Sequence, residues 1–370
     1  MNIKHIKDKY LINTKFLVFF LLFLSTAATL HKFFTHKLAN YLTFSSSFWN
    51  MFHGVNPYYQ ILEYKYSPAF CVLMSPMAIL PDWLGAIIWN AVNTLVLYVG
   101  INRLKLDNTK KAFILWFILF EFLTSIQNFQ SNILISGLIL LAFSFFEERR
   151  TFWTSFIITL LFFIKIFGAG IGIIFLFYPK KIKFIICSLF WTLILIFIPL
   201  VFVNWDFFII LYRSWWIIMT TDFSASMGVS IMALINMIIS LSKSYIQIFG
   251  LFLLVLPLLV NFKYFSEYKN RLMLVASIML WMIIFNHKAE SPTFIIAVTG
   301  SAIWYVLSKK TVFNLVLMLL VFIFTTLSPT DHFPKIKFKF AHYNVVKALP
   351  CVLVWIKIQV DLYSIKNIQK

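Results

Sequence analysis

The chain has 370 residues, of which 61% are hydrophobic and only 12% charged, and its mean hydropathy is +0.87. A soluble globular protein carries about 25% charged residues, so too few polar side chains remain here to cover a water-facing surface, and a soluble fold is excluded. The net charge is +19. The basic residues lie between apolar segments, where such residues set membrane orientation, and we therefore predict no nucleic-acid partner.

The N-terminal segment carries several lysines before an apolar run over residues 16–30. A cleaved signal peptide has a similar pattern, and the sequence Ser25-Thr26-Ala27-Ala28 would serve as its cleavage site. We favour a retained first helix whose N-terminus lies in the cytoplasm, so that the protein is integral to a membrane.

Residues 31–82 mix aromatic and polar side chains around one short apolar piece, Ala69–Leu80, which has a proline at each border. A piece of about a dozen residues is too short to span a bilayer. We therefore predict a re-entrant or interfacial helix within an outer loop. This choice places the later basic clusters on the cytoplasmic side.

The remaining apolar runs complete an all-α, polytopic membrane protein of about 11–13 transmembrane helices. The predicted spans are 83–102, 112–126, 132–146, 152–167, 168–178, 184–203, 245–261, 272–286, 293–308 and 312–328, with a possible last span at 345–363. The run 229–241 is assigned to the interface. We expect one integral domain over 1–370, with a helical core at 16–328 and a C-terminal extension at 329–370.

On this topology the long polar connections all lie on the outer side, which indicates a site there, because irregular backbone at a membrane survives only in water or under protein cover. Those connections are 31–82, 127–131, 204–244, 286–292 and 329–344.

Two ionisable residues lie inside predicted spans, Lys165 near the outer end of its helix and Glu121 about one turn below the outer end of another. Intramembrane charges are costly and mark partners or aqueous cavities. The functional interpretation is that Lys165 binds a phosphate near the outer leaflet. The alternatives are snorkelling of Lys165 to headgroups and a structural Lys165–Glu121 salt bridge.

Two short polar segments at the ends of spans are candidates for the site. Residues 127–132 hold four side-chain amides and a hydroxyl, which suit recognition of sugar hydroxyls, although N-capping by Ser131 or Asn132 would also explain them. Residues 286–290 bring His287, Lys288 and Glu290 close together in sequence, which suits general-base chemistry, although an ordinary polar turn has the same composition.

The stretch from Asn40 to Trp89, followed by later positions, resembles glycosyltransferase family 87, mannosyltransferase-like membrane proteins of the GT-C class. The residues that carry the resemblance are Asn40, Phe44, Ser45-Ser46-Ser47, Gly54, Asn56-Pro57-Tyr58, Tyr66-Ser67-Pro68, Leu80-Pro81, Trp89-Asn90 and Asn93. It continues through an outer turn at 127–132, through Lys165 and through Asn236, and covers residues 30 to 310.

The resemblance implies a GT-C-like fold and transfer of a sugar, mannose or another hexose, from a polyprenyl-phosphate donor to a lipid-linked or cell-envelope glycan on the outer face. It implies that Lys165, with Lys288 as a second cation, binds the donor phosphate. Contacts to sugar or acceptor are expected from Gln127, Gln130, Asn132, Asn56, Tyr58 and Asn236. We predict no cofactor and no metal.

One position departs from the family pattern. The family presents an aspartate as catalytic base where this chain has Asn40, and an amide cannot accept a proton at neutral pH. Among catalytic candidates we favour Glu290, flanked by His287, and then Glu121. The other outer carboxylates are Glu63, Asp82, Asp206, Asp222 and Asp331. The alternatives to a transferase are a non-catalytic scaffold of GT-C type and a lipid or sugar flippase.

Overall fold

The computed structural model describes residues 10–60, 64–177, 179–221, 227–328 and 343–365, which form helices and, within those ranges, no β-strand. The prediction of an all-α, polytopic membrane protein is confirmed. Four of the described helices are long and apolar enough to cross a membrane: Thr14–Phe34, Asp82–Asn102, Lys181–Val201 and Lys243–Ser266.

We number the α-helices of the described residues in chain order. They are α1 (Thr14–Phe34), α2 (Ala39–Phe52), α3 (Pro57–Gln60), α4 (Pro68–Ala78), α5 (Asp82–Asn102), α6 (Asn108–Phe117), α7 (Leu119–Gln127), α8 (Asn132–Glu147), α9 (Thr151–Ile164), α10 (Lys181–Phe197), α11 (Trp205–Thr221), α12 (Ile231–Asn236), α13 (Lys243–Asn261), α14 (Tyr268–Ile284), α15 (Phe294–Leu307), α16 (Val312–Leu320) and α17 (Tyr343–Tyr363). Short 3₁₀ helices cover Ile166–Phe177, Ile198–Val201, Phe262–Ser266 and Ser291–Thr293, and a π-helix covers Val321–Leu327.

Three predicted spans differ from the structure. The span 112–126 is divided at Ile118 into α6 and α7, and the span 312–328 changes from α-helix to π-helix at Val321. The span 152–167 was too long, because α9 ends at Ile164 and the chain continues as the 3₁₀ helix Ile166–Phe177. At about 2 Å per residue a 3₁₀ helix of that length reaches about 24 Å, farther than an α-helix would.

Polar side chains fix where several helices begin. The Ser67 hydroxyl accepts a hydrogen bond from the Phe70 amide, and Pro68 occupies the first turn of α4, where its missing N–H costs nothing. Asp107, Ser230 and Thr311 cap α6, α12 and α16 in the same manner. Each cap satisfies one of the backbone N–H groups that the first turn leaves without a partner.

The chain divides into two compact units. The loop unit comprises Lys15–Leu104 and Ser125–Ser224, and the C-terminal unit comprises Met1–Thr14, Lys105–Thr124 and Ala225–Lys370. The expectation of a single integral domain stays a prediction.

Close packing of α5 against α8 organises the loop unit. A Cβ on Gly137 would lie 2.5 Å from the Leu97 nitrogen, and a Cβ on Gly100 would lie 2.7 Å from the Gly137 carbonyl oxygen. Only glycine permits this approach of two backbones. The contact holds the start of α8 beside the polar side chains of α5.

In the C-terminal unit, α14 and α15 pack together and are almost entirely buried, and α17 packs against α14. Asn261 holds the end of α17, since its amide donates to the carbonyls of Leu362 and Tyr363. Helices such as α10 and α13 instead leave large apolar side chains uncovered, with Ile182 75% and Leu259 72% exposed. Such apolar outer faces suit contact with lipid.

Candidate functional site

Lys165 lies at the break between α9 and the following 3₁₀ helix, where its backbone is extended. It was predicted within a helix, and the structure places it just after one. Its ammonium donates to the Asn132 Oδ1 at 3.1 Å and lies 5.4 Å from the centre of the Tyr66 ring and 5.8 Å from that of Phe167. Within the described residues no carboxylate pairs with Lys165. The site therefore keeps a positive charge beside neutral groups.

The turn that carries Asn132 has an unusual backbone. Phe129 has a φ of +55°, a left-handed conformation that costs a bulky side chain on the order of 1–3 kcal/mol and persists only where neighbouring contacts impose it. The Trp89 indole donates to the Phe129 carbonyl at 2.9 Å. Asn90 donates to the Ile126 carbonyl, and Asn93 accepts from the Leu134 amide. Trp89, Asn90 and Asn93 of α5 thus hold this turn by its backbone.

Amides and hydroxyls of the same turn meet around Lys165. Asn132 Nδ2 donates to the Gln130 Oε1 at 2.6 Å, and the Ser131 hydroxyl hydrogen-bonds with that of Tyr66 at 3.0 Å. The alternative of N-capping by Ser131 is wrong, because its hydroxyl makes no cap hydrogen bond and is bonded to Tyr66 instead. Gln127 is exposed at the end of α7. The structure therefore brings Gln130, Asn132 and Lys165 together, and their roles with a sugar or a phosphate stay predictions. Tyr66 joins them as a partner that the sequence analysis did not place there.

Aromatic side chains pack against the ring of Tyr66. Its ring stacks on Phe70 with centroids 4.3 Å apart and meets the edge of Phe44 at 4.9 Å. Phe44 also contacts Trp89. A packed aromatic cluster therefore connects α2, α4 and α5 with Tyr66, whose ring Lys165 contacts.

Asn56 and Tyr58 hold the loop that leads to Tyr66. The Asn56 Oδ1 accepts from the Tyr58 amide, and its Nδ2 donates to the Ser214 hydroxyl at 2.8 Å. Tyr58 is 3% exposed and its hydroxyl donates to the Tyr66 carbonyl. Burial raises the pKa of Tyr58 well above its ordinary value, so its hydroxyl stays a donor at neutral pH. These contacts position Tyr66; the predicted contacts of Asn56 and Tyr58 with a sugar stay predictions.

Asn40 lies at the start of α2, and its Nδ2 donates to the Asn128 carbonyl at 2.8 Å. Asn40 therefore binds the same turn as Trp89: Asn40 donates to the carbonyl of Asn128, and Trp89 donates to that of the next residue, Phe129. An amide can make this bond and an ionised carboxylate cannot, since a carbonyl needs a donor.

The C-terminal unit holds the other predicted residues. The segment from His287 to Ala289 is bound by the chain before α12, because the Val229 amide donates to the Ala289 carbonyl at 2.8 Å. Gly228, at a φ of +56°, lies where a Cβ would be 2.5 Å from the His287 carbonyl oxygen. Lys288 donates through its amide to the Asn286 side chain. The backbone of this loop is thus fixed.

Glu290 is exposed at the beginning of the 3₁₀ helix Ser291–Thr293. The Thr293 hydroxyl accepts from the Glu290 amide and donates to its carbonyl. Lys288 and Glu290 belong to the C-terminal unit and Lys165 to the loop unit, so a shared role stays a prediction.

Glu121 is fully buried in α7, and its carboxylate pairs with the equally buried Lys347 of α17 at 2.6 Å. The alternative of a Lys165–Glu121 salt bridge is wrong, because Glu121 pairs with Lys347 and Lys165 bonds Asn132. Lys347 was not singled out from the sequence, because its position 226 residues from Glu121 gives no local signal for the pair. The role of Glu121 as a base stays a prediction.

The remaining candidates are on surfaces or outside the described residues. Asn236 is exposed at the end of α12, and Asp82 and Asp206 are exposed in the first turns of α5 and α11. Glu63, Asp222 and Asp331 lie outside the described residues. Among the residues that the structure describes, no three His, Cys, Asp or Glu side chains form a metal-binding group. The expectation of a reaction without metal stays a prediction.

The model of glycosyltransferase family 87 matches residues 64–329, more than half of the chain. The chain belongs to glycosyltransferase family 87. Family membership indicates a membrane glycosyltransferase. Searches of curated proteins and of solved structures found no match. The matched residues include Tyr66, the turn at 127–132 and Lys165, whereas Asn40 and Lys347 lie outside them.

Proposed function

We propose that this family 87 protein transfers a hexose, mannose in the first instance, from a polyprenyl-phosphate donor to a lipid-linked or cell-envelope glycan on the outer face of a bacterial cytoplasmic membrane. The observation that carries the proposal is Lys165: a cation held at a helix break by Asn132 and two aromatic faces, with no carboxylate to neutralise it within the described residues. Such a cation would bind the donor phosphate.

The transfer step follows from this placement. The acceptor hydroxyl oxygen attacks the anomeric carbon, the bond from that carbon to the phosphate oxygen breaks, and the phosphate leaves with both electrons. Lys165 would stabilise the charge that develops on this phosphate. The hydroxyl proton passes to a base, for which Glu290 is our first candidate and Glu121 our second, with His287 beside Glu290 in sequence.

The sugar would meet hydrogen-bonding groups on the same turn. Gln130 and Asn132 carry amides, which pair with hydroxyls as both donors and acceptors. The predicted contributions of Gln127, Asn236 and Lys288 belong to this proposal without a contact that locates them at the donor. The polyprenyl chain would lie against the apolar helices in the membrane.

Transfer from a radiolabelled polyprenyl-phosphate mannose to membrane glycolipids tests the proposal. Lys165→Ala is expected to weaken donor binding about tenfold to a hundredfold, the range of a lost hydrogen bond to a charged group. Lys37→Ala removes an exposed charge of the predicted outer loop and is the matched control. Glu290→Gln is expected to abolish transfer while leaving donor binding intact. Donor binding by Lys165→Ala equal to that of the wild type would contradict the phosphate assignment.

A non-catalytic scaffold is the second candidate, and one observation favours it: the family's acidic position is an amide here, and that amide is engaged with the Asn128 carbonyl. This candidate predicts donor binding without donor consumption, whichever membrane glycolipid is supplied. Mannose transfer by the wild type would exclude it.

A further inference from the structure

The resemblance implies an acid at the position of Asn40, which lies outside the residues that the family model matches, yet the side chain of Asn40 acts as a hydrogen-bond donor. Its Nδ2 donates to the Asn128 carbonyl at 2.8 Å, and the two residues are 88 positions apart in the chain. The bond therefore connects the start of α2 to the turn that carries Asn132.

The turn needs such contacts because of Phe129, whose left-handed backbone is unfavourable for a large side chain. The carbonyls before and after the Phe129 Cα are both held: Asn40 donates to that of Asn128, and Trp89 donates to that of Phe129. Three residues later, Asn132 accepts from Lys165. The backbone position of Asn128 and the placement of Lys165 are thus connected by a short, bonded path.

Only a side chain with a hydrogen-bond donor can replace Asn40 in this contact. An ionised aspartate carries only acceptors and would place an oxygen against the Asn128 carbonyl oxygen, whereas an alanine would leave that carbonyl without this donor. A glutamine keeps an amide donor on a longer side chain, and Asn40 is partly exposed, so space is available.

We propose that Asn40 is a positioning residue: its amide holds the strained 127–132 turn, through which Asn132 orients Lys165 for the donor phosphate. The inference rests on the proposed function for its effect on donor binding. It excludes a latent base position at Asn40, so that Asn40→Asp weakens the protein's activity instead of restoring a missing acid.

The first test is structural and independent of any substrate. Hydrogen exchange of the backbone amides of 125–134 is compared in wild type, Asn40→Asp, Asn40→Gln and Asn204→Ala, the last losing an exposed amide that caps α11 far from this turn in sequence. Faster exchange in Asn40→Asp, with wild-type rates in Asn204→Ala and near-wild-type rates in Asn40→Gln, is expected. Unchanged exchange in Asn40→Asp would overturn the proposal.

The second test measures the dissociation constant of a radiolabelled polyprenyl-phosphate mannose. Asn40→Ala and Asn40→Asp are each expected to weaken binding about fivefold, the loss of one hydrogen bond. The double variant Asn40→Ala/Asn132→Ala is expected to bind no more weakly than Asn132→Ala, because both changes act through Asn132. Additive losses, or faster mannose transfer by Asn40→Asp than by the wild type, would overturn the positioning role.

The phosphate site at Lys165 and the positioning role of Asn40 are rejected by different results. Wild-type donor binding by Lys165→Ala would reject the proposed phosphate site, while the hydrogen-exchange result would still decide whether Asn40 holds the turn. Loss of binding in Lys165→Ala together with wild-type binding in Asn40→Asp would keep the phosphate site and reject the role of Asn40.

Discussion

Lys347 and Lys165 both lie in apolar surroundings, and their partners differ. Lys347 pairs at 2.6 Å with the carboxylate of Glu121, and both side chains are fully buried. Lys165 is partly buried and donates to the neutral amide of Asn132 beside the ring of Tyr66. An ion pair cancels its own charge, whereas a cation held by amides and aromatic faces keeps its charge for an anion from outside. The first arrangement suits architecture and the second suits binding.

The surroundings of the two lysines agree with this division. Lys347 also lies 5.2 Å from the centre of the Phe294 ring, and the Thr325 hydroxyl donates to its carbonyl at 2.8 Å. These contacts join α17 to α15 and to the π-helix that follows α16 within the C-terminal unit. Lys165, by contrast, lies at the break between α9 and a 3₁₀ helix, and it is only partly buried.

The largest expected effect is on the ion pair. Lys347→Ala leaves the Glu121 carboxylate buried without its counter-charge, which is expected to lower the free energy of unfolding by about 3–5 kcal/mol. Unfolding of the purified protein in detergent measures it. The double variant Lys347→Met/Glu121→Leu is expected to recover most of the loss, because no charge is left uncompensated. A Lys347→Ala variant as stable as the wild type would contradict a stabilising role of the Lys347–Glu121 ion pair.

A second substitution converts one arrangement into the other. Asn132→Asp would set a carboxylate where an amide oxygen now accepts from Lys165 at 3.1 Å. Donor affinity is expected to fall about tenfold, since the charge of Lys165 would then be cancelled internally. Asn204→Asp makes the same chemical change at an exposed helix cap and is expected to leave affinity unchanged. Unchanged affinity in Asn132→Asp would remove the distinction between the two lysines.

The smallest expected effect concerns an exposed pair. The pKa of Asp107 is lowered by its hydrogen bonds to the Lys110 side chain and amide. A carboxyl whose pKa is lower in the folded state stabilises that state above its unfolded pKa, and the contribution disappears as pH falls through the folded pKa. Asp107→Ala is expected to cost about 0.5–1 kcal/mol near neutral pH, because the pair is exposed and screened.

Unfolding of wild type and Asp107→Ala, measured from neutral pH to acid, checks this sign. The stability difference is expected to shrink only once the pH falls below 3.8, the ordinary value for this carboxyl. Asp107→Asn keeps a capping oxygen and is expected to lose less. A difference that grows on acidification would contradict the assignment of the cap.

Hydropathy alone locates most of the helices, because lipid-spanning segments need long apolar runs, and the observed Asp82–Asn102 and Lys243–Asn261 follow the predicted 83–102 and 245–261 closely. The family resemblance points to Lys165 and the 127–132 turn as parts of one site. Their positions along the chain carry that information, since the turn follows the predicted span 112–126 and Lys165 lies near the end of 152–167, and both spans end on the predicted outer side.

The contacts themselves could not be read from the sequence. Nothing local identifies Lys347 as the partner of Glu121, because the two residues are 226 positions apart. The left-handed backbone of Phe129 is equally hidden, since an aromatic residue does not favour it and distant side chains of α2 and α5 impose it. The hydrogen bond from the Asn40 amide to the Asn128 carbonyl is hidden in the same way, because the two residues are 88 positions apart.

If Lys165 binds the donor phosphate, as proposed, the protein distinguishes a charged lipid from an uncharged one. Competition binding of polyprenyl phosphate and of the uncharged polyprenol, to wild type and to Lys165→Ala, measures this charge preference directly. The wild type is expected to bind polyprenyl phosphate about tenfold or more tightly than polyprenol, and Lys165→Ala is expected to bind the two lipids alike. A preference for the phosphate that survives Lys165→Ala undiminished would contradict the phosphate assignment.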